Sequence, residues 1–130
     1  MARTVIDPAN GFKDLGRPGY CVYEIDKDDN ALTAVETVMC TVPAGSTFRI
    51  FANVLAVFNS GTSESLRVGD GSTADKYMAA GDLNERATGL TAVKGPYYVA
   101  ADTAITADFI RVGAAPTTGQ VQFTIEVNPS

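Results

Sequence analysis

The sequence predicts an all-β sandwich, and three features carry that expectation. Short apolar runs alternate at period two, the signature of half-buried strands. The 12 glycines and 6 prolines fall mostly between those runs, which favours many short elements joined by turns. No stretch shows the apolar spacing of a long amphipathic helix. At 130 residues, with 45% hydrophobic and 19% charged residues, the chain has the size and balance of one soluble domain with a real core. The expected organisation is an extended N-terminal arm over residues 1–19 and a single antiparallel β-sandwich, jelly-roll-like, over residues 20–130.

Taken in order, residues 1–19 are poor in large apolar side chains and punctuated by Pro8, Gly11, Gly16, Pro18 and Gly19. Such a segment rarely packs on its own core; it is a tail, or an arm that orders on a partner. Residues 20–25, YCVYEI, form the first convincing strand, and residues 26–30, DKDDN, a polar turn. A second strand is expected over 35–42, with Val38, Cys40 and Val42 on one face and Met39 and Thr41 on the other. If these two strands made a hairpin, Cys21 and Cys40 would lie nearly opposite each other and a disulfide would be geometrically conceivable. Two small buried thiols are the favoured alternative in a reducing cytoplasm.

After the tight connection at 43–46 comes the stretch that anchors the fold, residues 47–59, TFRIFANVLAVFN. Phe48, Ile50, Val54, Ala56 and Phe58 share one face, and from Phe51 through Leu55 and Val57 the other face is apolar too. The pattern predicts a long strand that starts near a sheet edge and ends covered on both sides. Residues 59–64 turn, and residues 65–68 make a short strand with Leu66 and Val68 inward. Residues 69–85 are ambiguous: Ser72 with Asp75 resembles a capping box and Gly81 a helix end, while 76–79 would also suit a short strand. An irregular loop with at most one helical turn is slightly preferred.

Residues 90–93 and 97–100 read as two strands separated by Gly95-Pro96. Residues 104–112 form a strand whose alternation slips near Asp108, which suggests a bulge. After a turn over 113–119, residues 120–127 give the cleanest pattern in the chain, with Val121, Phe123, Ile125 and Val127 pointing one way and polar residues the other. The total is about eight strands, in keeping with a sandwich or barrel.

Composition also limits the chemistry. The chain has no histidine, which removes Ser-His-Asp and Cys-His catalysis and His-ligated zinc. Paired carboxylates remain, with Glu24, Asp26, Glu36, Glu64 and Asp108 as candidates for glycosidase-like chemistry, but nothing singles out a pair. Residues 26–30 faintly resemble a calcium loop, yet Ala31 stands where that loop needs glycine and Thr37 where it needs glutamate. Residues 69–74, GDGSTA, match a dinucleotide-loop spelling without the strand–helix context that gives it meaning. No catalytic, cofactor-binding or metal-binding residue is assigned, and no enzymatic activity is expected. Tyr20, Tyr23, Tyr77, Tyr97 and Tyr98 suit an interface, where tyrosine offers a large apolar body with a polar tip. With no tryptophan, a sugar-stacking platform is weakly disfavoured.

A net charge of −5 without a Lys/Arg cluster argues against direct nucleic-acid binding. The first residues lack the apolar segment of a signal peptide, and no apolar run nears the roughly 20 residues of a membrane span. Synthesis in a cytoplasm and no membrane partner are therefore expected.

Three segments together, TVPAGSTFRIFANVLAVFNS, SLRVGDGSTADKYMAAGDL and GPYYVAADTAITADFIRVGAAPTTGQVQFTIEV, resemble small virion structural proteins of tailed bacteriophages, in particular head decoration or cement proteins. The likeness is one of texture, covering roughly residues 42–127, and transfers no catalytic residues. It implies a β-sandwich on the exterior of the capsid that binds the major capsid protein, often as a homotrimer, and stiffens the shell. A head-tail connector or tail component, and a virion-surface carbohydrate-binding domain, are the alternatives it leaves open. The arm at 1–19, or the loop at 69–85, is the expected contact segment with the capsid or a sister subunit.

Overall fold

The computed structural model describes residues 3–6, 19–32 and 35–128. Eight strands are present among them: β1 (Arg3–Ile6), β2 (Gly19–Asp26), β3 (Thr37–Val42), β4 (Thr47–Ala56), β5 (Ser63–Gly69), β6 (Gly89–Tyr98), β7 (Thr103–Val112) and β8 (Gln120–Asn128). They form a β-sandwich of two antiparallel sheets, one ordered β1-β2-β8-β4-β6 and the other β3-β7-β5. From β2 onward every connection crosses from one sheet to the other, an arrangement compatible with a jelly roll. The arm expected at 1–19 lies mostly outside the described residues; Arg3–Ile6 pairs along β2.

The clean alternation of β8 puts it in the middle of the larger sheet. Val121, Phe123, Ile125 and Val127 are fully buried. Three of the four face an inward side chain on both neighbours: Val121 lies between Ile25 and Val54, Ile125 between Cys21 and Ile50, and Phe123 between Tyr23 and Ala52. The smaller sheet answers with the inward pairs Leu66–Phe109 and Val68–Ala107. Phe58 closes one end of the layer edge-on to Phe109, with ring centroids 5.0 Å apart. Fully burying each such Phe, Ile, Leu or Val contributes about 1.5–3 kcal/mol.

Five local expectations are corrected. First, β2 and β3 do not form a hairpin, because they lie in different sheets. A short 3-10 turn over Lys27–Asp29 ends β2, held by a reciprocal capping box between Asp26 and Asp29. Ala31 then donates to the Phe109 carbonyl and accepts from Arg111 N–H, which carries the chain onto the second sheet. Cys21 and Cys40 are buried thiols, and Cys21 Sγ donates to the Met39 carbonyl at 3.6 Å.

Second, β4 is covered on one face only. Phe48, Ile50, Ala52 and Val54 are buried, whereas Leu55 remains 45% exposed and Val57 39%. The apolar outer face of β4 thus looks outward, and no layer of described residues packs on it. Third, Met39 and Cys40 are both buried while Val38 is exposed. A register shift between Val38 and Cys40 turns the backbone so that two successive side chains point inward.

Fourth, the bulge expected at Asp108 lies in β3 instead, since β7 runs in unbroken register along β5. The polar residue interrupts the alternation for another reason. Asp108 faces away from the core yet is buried, because Arg67 donates Nε and Nη2 to its two carboxylate oxygens at 3.1 and 2.6 Å. Fifth, Gly95-Pro96 does not divide two strands. β6 is continuous, and its pairing with β4 jumps at this point, from Ile50–Lys94 to Phe48–Tyr97. Proline has no N–H to give a ladder, and β6 tolerates it because it is the edge strand.

Candidate functional site

The carboxylates named from the sequence are each engaged structurally. Glu24 accepts from Gln120 and Gln122 on β8, at 3.1 and 3.5 Å. Asp26 caps the 3-10 turn, and Glu36 accepts from the Thr106 hydroxyl at 3.0 Å. Glu64 takes two bonds from Arg86, at 2.8 and 3.2 Å, and Asp108 takes two from Arg67. None of these bonds joins one candidate carboxylate to another. Among the described residues no group of three or more Cys, Asp or Glu is placed to hold a metal ion. The calcium-like residues 26–30 are the capped turn between β2 and β3, and GDGSTA is a strand-to-loop turn with no helix after it.

The segment between β5 and β6 is the more distinctive part of the surface. It carries no helix, as the favoured reading of 69–85 had it. The resemblance of Ser72 and Asp75 to a capping box is not realised. Asp70 does that work: its Oδ1 accepts from the backbone N–H of Ser72 and Thr73 at 3.0 and 2.9 Å. These backbone bonds, with Lys76 alongside, hold the Asp70 carboxyl below the usual aspartate range. A backbone bridge between Val68 and Met78 then adds a rudimentary neighbour to β5. Met78 and Leu83 are buried and anchor the loop to the core. Asp82 accepts from Ala79 N–H and pairs with Lys94 at 3.1 Å, both of which lower its pKa.

The loop ends in a cluster that sequence reasoning missed. Glu85 is buried, and its Oε1 accepts from Leu66 N–H at 3.1 Å while its carbonyl accepts from Phe58 N–H. Burial is the dominant influence and pushes its carboxyl above the usual glutamate range. Next to it, Arg86 bridges Glu64 and the Ser60 carbonyl. No pattern in the sequence distinguishes Glu85 from a solvated acid.

Glu85→Gln keeps the acceptor for Leu66 and removes the buried charge, so the variant is expected to melt above the wild type at neutral pH. With the folded pKa raised, the folded chain binds this proton more readily than the unfolded one. The contribution of Glu85 therefore becomes more favourable as pH falls from the raised value into the ordinary glutamate range. The gap between the two melting curves should narrow over that window. A variant that melts below the wild type at neutral pH would show that the charge itself is favourably held.

The loop also gathers aromatic rings. Tyr77 and Tyr97 pack on Phe48, with centroids 4.9 and 5.4 Å from it and 5.0 Å from each other. Tyr97 Oη donates to the Tyr77 carbonyl at 2.8 Å, and Tyr98 stands 66% exposed beside them. A cavity of about 320 Å³ opens here, lined by Asp70, Lys76, Tyr77, Tyr97, Tyr98 and Thr103 among others. Tyr20 is exposed on β2, and Tyr23 is buried in the core, where burial raises its phenol pKa. Three of the five tyrosines named as interface candidates thus converge on one cavity. A second cavity of about 290 Å³ opens between β2 and β7 and is lined by Tyr23, Ile25, Val35 and Phe109 among others.

No family model matches the chain, and no curated protein matches it. Solved structures do. A chain of the cyanophage Pam1 capsid asymmetric unit superposes with a TM-score of 0.60 at 17% identity, over 87% of this chain and 85% of that one. A chain of the acidic stable capsid structure of Helicobacter pylori bacteriophage KHP30 superposes with a TM-score of 0.59 at 12% identity, over 98% of this chain and 92% of that one. The likeness is one of fold. It spans at least 85% of each chain compared.

Beyond the cavities, the outer face of β4 and β6 carries exposed apolar side chains. Leu55 is joined there by Leu90, Val93 and Tyr98, which are 59%, 52% and 66% exposed. No helix among the described residues is long and apolar enough to cross a membrane.

Proposed function

We propose that this chain is a bacteriophage virion structural protein that decorates the exterior of the head, binding the lattice of the major capsid protein and stabilising it without catalysis. The observation that carries this reading is the fold likeness, over at least 85% of each chain, to chains found in two phage capsid structures. Three further features support it. The candidate carboxylates are spent on structural bonds. The sandwich is braced by ion pairs at Arg67–Asp108 and Arg86–Glu64, which suits a part that must hold its shape under load. Exposed apolar residues on β6 offer contact area along an edge strand that association would cover. A homotrimer would present three such surfaces at once around a symmetry axis of the shell.

A ligand that prefers the assembled shell stabilises it by linkage. Particles lacking this protein should therefore lose their DNA at a lower temperature, and adding purified protein should restore the wild-type value. Quantifying the chain against the major capsid protein in purified particles is the deciding measurement. Copies in fixed proportion to the shell protein are expected. A single ring's worth per particle would move the assignment to a connector or tail component, and absence from particles would overturn it.

A further inference from the structure

We propose that the tyrosine-lined cavity beside β6 is a receptor for an arginine side chain presented by a neighbouring protein subunit. The identity of that neighbour as a capsid component rests on the function proposed above; the chemistry of the cavity does not.

Four observations point to a guanidinium. The walls supply the rings of Tyr77, Tyr97 and Tyr98, and aromatic faces attract cations. The lining also includes a carboxylate, Asp70, whose side chain is only 16% exposed. Its Oδ1 is committed to two backbone amides, while among the described residues Oδ2 accepts from the ammonium of Lys76 at 3.1 Å. Finally, the cavity already holds a cation of its own. Lys76 Nζ sits 5.7 Å from the Tyr77 ring centroid while it pairs with Asp70.

Lys76 is a weak occupant. Its side chain is 52% exposed, and an ion pair at such a site contributes little net stability. A guanidinium is planar and less strongly hydrated than an ammonium. It can lie on a tyrosine face while its edge donates to a carboxylate. An incoming arginine would take the Asp70 Oδ2 contact and the ring faces, and Lys76 would swing into solvent. Neighbours of other chemistry fit less well. An aliphatic side chain would strip water from Asp70 and give nothing in return. A phosphate would meet the Asp70 carboxylate in the lining.

The test uses the isolated full chain, with the tyrosine ring and Thr103 resonances followed by NMR. The probes are N-acetyl-arginine amide and N-acetyl-citrulline amide, which share a shape and differ in charge. Arginine should shift the Tyr97, Tyr98 and Thr103 signals, and citrulline should bind about tenfold or more weakly. Asp70→Asn should weaken arginine binding by a similar factor. Lys76→Met should tighten it severalfold, because the internal competitor is gone. Equal response to both probes, or weaker arginine binding in Lys76→Met, would overturn the proposal. On particles, Tyr98→Ala alters an exposed side chain and should lower occupancy of the shell. Occupancy unchanged by Tyr98→Ala would overturn the assignment to a neighbouring subunit. A chain that binds no shell at all would refute the head-decoration reading, while the probe titration would still decide the cavity.

Discussion

Replacing Asp108 by alanine should destabilise the protein by about 2–4 kcal/mol, read from denaturant midpoints at unchanged m-value. The side chain of Asp108 is fully buried, and that of Arg67 is 23% exposed. Their two-bond contact neutralises a charge that β7, the middle strand of its sheet, would otherwise hold away from water. Removing the carboxylate leaves the guanidinium partly buried without its main acceptor. The partial exposure of Arg67 keeps the cost below that of a fully enclosed pair. The informative comparison is the double variant Arg67→Met/Asp108→Leu, which replaces both charges with apolar groups of similar reach. Pairs of this kind often prove near neutral against such replacements. The double variant should recover most of the loss; if it is no better than Asp108→Ala, the pair does more than satisfy itself.

Gly119→Ala should cost a similar amount, about 2–4 kcal/mol. Gly119 precedes β8 with φ at +139°, a conformation that side chains resist, and a Cβ there would fall 2.2 Å from the Phe58 ring. That ring cannot retreat easily, because it is buried and edge-on to Phe109. Phe58→Leu opens space on the Gly119 side and costs stability of its own. Combined with Gly119→Ala it should lose less than the sum of the single variants, since the steric clash is shared. Strict additivity would place the whole penalty in the backbone angle and none in the ring contact.

How far the sequence discloses this molecule depends on whether a residue's role is set by its neighbours in the chain or across space. β8 is legible because its alternation is complete and three of its four inward residues meet apolar side chains on both sides. Leu66 and Val68 are legible because their alternation is equally clean and they face Phe109 and Ala107 on β7. The outer apolar residues of β4 were misread, because the sequence shows that a second face is apolar and not whether anything covers it. Asp108 misled in the other direction. A polar residue in an apolar strand marks either a local irregularity or a distant partner, and Arg67 lies on another strand. The hairpin between residues 20–25 and 35–42 failed because sequence proximity is a poor guide where each connection changes sheet. At the candidate site, the tyrosines could be named in advance, but their convergence with Asp70 and Lys76 depends on the fold of an irregular loop. Glu85 left no trace at all, since burial alone separates it from the other acids.

The position of β8 has a consequence for the birth of the molecule. Residues 120–128 supply the central strand of the larger sheet, lying between β2 and β4, yet they follow the other seven described strands in the chain. On the ribosome, β1 can pair with β2 and β4 with β6 as they emerge, but nothing joins these two halves of the sheet until β8 follows, and long-range pairing of this sort is slow to form. The larger sheet is therefore closed only once residues 120–128 have cleared the exit tunnel, and until then the inward faces of its two halves lack the strand that unites them.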